Sequence, residues 1–134
     1  MNRSLLFAYH LVAGLSDAST GALLVMAPAA TLQLMRLSVP TLTFPFLSFI
    51  GAFVFAVGLS YLYGVLLLRR GGCSSRLEAL WIVTAFLRGS VASYVTVAVL
   101  SGQLATGWIV IAFFDAACVV IQAAGLRLGW LSHA

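Results

Sequence analysis

The chain has 134 residues, of which 63% are hydrophobic and only 7% charged. Soluble domains carry about 25% charged residues, so this chain cannot cover a water-facing surface and the soluble classes are excluded. Its net charge of +4 rests on Arg alone. With no basic helix face and no basic stripe interleaved with aromatics, nucleic-acid binding is excluded as well. A mean hydropathy of +1.12 agrees with an integral membrane protein.

A bilayer core takes about 20 apolar residues in helical form, and four runs reach that length. The first covers residues 5–27 and stops at Pro28. Arg3 ahead of a short apolar stretch, with Ser16-Asp17-Ala18 behind it, has the outline of a cleaved signal peptide. However, the apolar run continues through Ala22-Leu23-Leu24-Val25-Met26 and encloses His10 and Asp17, so it reads as a retained helix. Residues 28–37 form either a short interfacial helix, with Leu32, Met35 and the Leu34/Leu37 side buried, or an ordered loop. The second span covers residues 46–68, between Pro40 and Pro45 on one side and Arg69-Arg70-Gly71-Gly72 on the other. The third covers residues 77–100 and ends at Ser101-Gly102. The fourth covers residues 106–126 and ends at Arg127. The turn between these last two is tight, which makes them an antiparallel hairpin. The expected fold is all-α, a four-transmembrane-helix bundle forming one integral membrane domain over residues 1–134.

Arginine placement sets the direction. Arg3, Arg69, Arg70, Arg76 and Arg127 fall on one side of a four-span chain and Arg36 alone on the other. Both termini are therefore expected in the cytoplasm, across a bacterial inner membrane. Arg69-Arg70 is first an orientation signal and second a contact for anionic lipid. Trp81, Trp108 and Trp130 fall at span ends, where amphipathic rings favour the interface. Cys73 lies in a polar connection and Cys118 inside an apolar run, at different depths, which argues against a disulfide. No metal-ligand spacing is present.

Three charges fall near the middle of the runs: Asp17, Arg88 and Asp115. At 1.5 Å per residue, the two aspartates lie roughly 18 Å and Arg88 roughly 17 Å from the cytoplasmic ends of their spans. Charges of opposite sign at one depth are expected to meet, because an Arg facing lipid there costs about 3 kcal/mol. Helical spacing supports inward faces. His10, Gly14, Asp17 and Gly21 form one stripe. Thr84, Arg88, Val91 and Val95 form another, and Asp115, Cys118, Gln122 and Gly125 a third. Ser48, Gly51, Phe55 and Gly58 give the second span a small contact face. A second polar layer holds His10 and Gln122, with Tyr61 or Tyr63 beside them. The cluster reads as a clasp that fixes packing, then as a ligand or quinone pocket, then as a proton or ion relay or a subunit contact. Cys118 reads as a small packing residue and Gln122 as interhelical glue.

There is no Gly-rich phosphate loop, nucleophile elbow or paired-His motif, so no catalytic residues are expected. His10 and His133 cannot form a bis-His haem site between helices of one copy. Pro28 after the first span, Gly51, Gly58 and Gly64 in the second and Arg88 in the third resemble small bacterial four-helix membrane proteins of the DoxX-like kind. The resemblance implies a four-helix bundle, and some members are subunits of quinone-linked redox enzymes. The expected function is a non-enzymatic membrane subunit or accessory protein, held in the lipid bilayer by partners or as a homo-oligomer. The alternatives are a quinone- or small-molecule-binding protein and a proton-coupled transporter acting as an oligomer.

Overall fold

The computed structural model describes residues 3–37, 39–71 and 74–132. These residues form five α-helices and no strand. Cys73 and His133 lie outside the described residues.

Two compact units divide the chain. Residues 3–71 form the first. Its helix α1 (Arg3–Met26) ends where Pro28, with its fixed φ and missing N–H, cannot continue it. Pro28 instead opens α2 (Pro28–Leu34), so residues 28–37 begin as a short helix. Leu32 and Leu37 are buried and Leu34 is exposed, which narrows the buried side expected from sequence. A 3-10 turn (Thr41–Thr43) leads into α3 (Phe44–Arg69), with Pro45 in its first turn. The second unit holds α4 (Ser74–Leu100), a 3-10 turn (Thr106–Trp108) and α5 (Ile109–Arg127). In each unit the two long helices pair antiparallel, so α4 and α5 form the expected hairpin.

Among the described residues, three helical stretches are long and apolar enough to cross a membrane: Thr41–Arg69, Ser74–Leu100 and Thr106–Arg127. Four such runs were expected from the sequence, and α1 falls short of the other three in mean hydropathy. Its 24 residues suffice in length. Its hydropathy is lowered by His10, Ser16, Asp17, Ser19 and Thr20.

Helix ends follow from backbone chemistry. Gly71, Gly102 and Gly129 adopt positive φ after α3, α4 and α5. After α4, the Gln103 N–H donates to the Ala98 carbonyl at 2.9 Å and the Gly102 N–H to Val99 at 3.1 Å. This double closure is the Schellman motif, which glycine favours because it has no Cβ to clash. Helix α2 ends with the same pair of bonds, Leu37 to Leu32 at 2.9 Å and Arg36 to Gln33 at 3.0 Å. There the left-handed residue is Arg36, with φ 55°.

Candidate functional site

Helix α4 buries Leu77, Trp81, Thr84, Arg88, Ala92, Val95 and Ala98. Helix α5 buries Ala112, Asp115, Cys118, Gln122 and Gly125. Steps of three and four keep each set on one helical face, and the antiparallel pairing brings the two faces together in layers.

The central layer is an ion pair. The Arg88 guanidinium donates through Nη1 to Asp115 Oδ1, and the two groups form a salt bridge. Arg88 is 4% exposed and Asp115 8%. The guanidinium also stands over the Phe114 ring, 5.3 Å from its centre, within cation–π range. One turn of α4 from Arg88, the Thr84 Oγ1 accepts from Gln122 Nε2 at 2.7 Å. The Thr84 hydroxyl in turn donates to the Leu80 carbonyl at 2.7 Å. Its donor and acceptor functions are therefore both used, in a chain from amide to hydroxyl to backbone. In the third layer the Trp81 ring, fully buried, lies against Gly125. A Cβ at position 125 would collide with that ring and stand 2.7 Å from Cε3 of Trp130.

Helices α1 and α3 meet differently. A Cβ built on Gly21 would collide with the Phe55 backbone nitrogen and stand 2.6 Å from the Gly51 carbonyl oxygen. A Cβ on Gly58 would collide with the backbone of Ala18. Glycine here allows backbone-to-backbone approach that any side chain would block. Ser48 Oγ adds a bond to the Leu24 carbonyl at 3.2 Å. Toward the other end of this helix pair, His10 and Tyr61 are fully buried, with ring centres 5.6 Å apart. The Tyr9 and Tyr61 hydroxyl oxygens stand 3.4 Å apart.

The sequence-predicted residues therefore fall as follows. Arg88 and Asp115 are paired, and Gln122, two turns along α5 from Asp115, is buried and bonded to Thr84. Asp17 and His10 are buried on α1, in the other unit. Tyr61, not the half-exposed Tyr63, is the tyrosine beside His10. Cys118 is buried on the α5 stripe. Two expectations are corrected. Val91 is 44% exposed, and Ala92 takes its place on the α4 stripe. Trp81, expected as an interfacial ring, is fully buried against Gly125. Tyr9 and Phe114 were not anticipated. Tyr9 adjoins His10 in sequence, and a helix normally points neighbours apart by about a third of a turn. Phe114 adjoins Asp115 in the same way.

Among the described residues, no three His, Cys, Asp or Glu side chains gather as a metal site. The α4–α5 ladder supplies a fixed cation, a fixed anion and an amide at mid-helix. Such groups can hold two helices in register or exchange hydrogen bonds with a polar group of a ligand. Comparisons with known protein families, curated proteins and solved structures return no match to this chain.

Proposed function

We propose that this protein is a small, non-enzymatic integral membrane subunit or accessory protein, working through helical faces turned to partner helices or to a second copy of itself. One observation carries this reading: polarity is inverted relative to a water-soluble helix. Arg88, Asp115, Asp17, His10 and Gln122 are buried, while Phe46, Phe49, Phe53, Phe86, Phe113 and Val120 are exposed. Exposed hydroxyls agree with this. Ser60 and Ser90 each donate to the carbonyl four residues back, at 2.9 Å, so they need no water.

The same inversion supports α1 as a fourth crossing. Its exposed large residues are Leu5, Val12, Leu15, Leu23, Val25 and Met26, and its length reaches about 36 Å. Both termini then lie on the arginine-rich, cytoplasmic side. Most of the described residues lie in the helices, so helical faces are the main surface they offer for recognition. Extraction in mild detergent followed by native mass spectrometry tests the proposal. Companion subunits or a homo-oligomer are expected, and a lone monomer overturns it. The mid-helix Arg88–Asp115 pair favours one further reading, a quinone or small-molecule pocket, because ionisable groups at that depth often mark functional sites. Quinone carried through purification by the wild type, and lost in Arg88→Ala, would select it.

A further inference from the structure

A cleft of about 300 Å³ opens where α1 begins and α3 ends, lined by Arg3, Ser4, Phe7, Leu68 and Arg69. Arg3 donates through Nη2 to the Leu68 carbonyl, which ties the start of α1 to the last turn of α3. A guanidinium has five N–H donors, so one such bond leaves donors for a ligand. The Arg69 guanidinium stands over the Phe7 ring, 5.2 Å from its centre. That contact orients the group without using its N–H donors. Two guanidinium groups thus flank one opening, with Arg70 next in sequence and exposed.

Nothing in this unit neutralises them. The carboxylates of the chain are Asp17, Glu78 and Asp115, and only Asp17 belongs to residues 3–71. It lies fourteen positions from Arg3 along α1, about 21 Å away. The cleft is also placed at a definite level. Arg69 directly follows the apolar run of α3, where headgroup phosphates meet the end of a spanning helix. Phe7 and Leu68 give the cleft apolar walls, which suit a glycerol backbone and the first methylenes of an acyl chain. A diffusible anion would have no use for those walls.

We propose that this cleft binds the phosphate of an anionic glycerophospholipid, with Arg3 and Arg69 donating to its oxygens and Phe7 and Leu68 against its glycerol–acyl junction. The proposal rests on the bilayer reading but not on the subunit role. The test uses the full chain in nanodiscs containing phosphatidylglycerol and phosphatidylcholine, with bound lipid read by native mass spectrometry after gentle release. Incorporation into the discs reads bilayer insertion separately from lipid choice. Wild type is expected to retain phosphatidylglycerol selectively. Arg69→Gln should lower that selectivity about fivefold or more, and Arg127→Gln, outside the cleft, should lower it by less. Arg69→Lys keeps the charge, and rescue by it separates phosphate contact from a folding defect. Added inorganic phosphate should not displace the lipid. Equal retention of the two lipids by wild type overturns the proposal, as does displacement by inorganic phosphate, which would mark a site for a free anion.

Discussion

Removing Arg88 should cost the protein more than removing any other arginine, and removing Arg88 together with Asp115 should cost less than either alone. Arg88 lies fourteen residues after the start of α4 and twelve before its end. At 1.5 Å per residue both ends are about 18–21 Å away, further than an arginine side chain extends, so a guanidinium that loses Asp115 cannot snorkel out. Breaking a buried pair from one side typically costs 3–5 kcal/mol, because the remaining charge stays buried without compensation. Arg88→Met and Asp115→Leu are each expected to lose about that much. Simple addition would put the double variant near 6–10 kcal/mol. It is expected instead within about 2 kcal/mol of wild type, since well-packed apolar pairs often replace buried ion pairs at little cost. Reversible unfolding in mixed micelles, followed by far-UV circular dichroism, measures all four corners of the cycle. Exposed Arg36→Ala serves as control and should change stability by less than about 0.5 kcal/mol. Additive losses within about 0.5 kcal/mol would refute the coupling and show the two side chains acting independently.

Gly21→Ala should destabilise by about 1–3 kcal/mol, because its Cβ would meet backbone that cannot swing aside. The contrasting Gly89→Ala, with Val119 Cγ2 its nearest neighbour at 3.9 Å, should hold or raise stability in the same micelle unfolding assay. Arg36→Gly should stabilise by about 0.5–1 kcal/mol by relieving a left-handed residue at φ 55°; a loss would mean that the Arg36 side chain makes a contact worth more than the strain. Reporter enzymes fused separately to each end should both be active in the cytoplasm. A periplasmic N-terminal reporter beside a cytoplasmic C-terminal one would leave three crossings and remove α1 from the membrane.

The extent of each long helix was legible because proline, glycine and arginine punctuate otherwise continuous apolar runs. Buried stripes were legible where polar or small residues recur at steps of three and four, as at Asp115, Cys118, Gln122 and Gly125. Val91 shows the limit. A period of 3.6 allows either three or four residues after Arg88, and only the partner helix decides between Val91 and Ala92. Trp81 shows another limit. A tryptophan near a helix end suits the interface by composition, but Gly125 on the facing helix leaves room for its ring inside. Likewise Tyr61 and Tyr63 are equivalent by composition, and the register of α3 against α1 puts only Tyr61 beside His10. The αL residue at Arg36 was hidden because the side chain carries no mark of the conformation.

The two units solve one physical problem by opposite means. Lipid tails are as apolar as leucine, so burying leucine between helices gains little inside a bilayer. Helices α1 and α3 gain contact by deletion: Gly14, Gly21, Gly51 and Gly58 remove side chains until the backbones touch. Helices α4 and α5 gain it by addition: Arg88–Asp115 and Gln122–Thr84 place bonds across the gap, where unmade polar groups would be costly. The first device resists any added atom but is indifferent to charge. The second leaves room for an added atom at Gly89, though not at Gly125 against Trp81, and depends on both partners of each bond. Replacing Gly21 and breaking Arg88–Asp115 therefore probe independent sources of cohesion, and their costs should add when both changes are made in one chain.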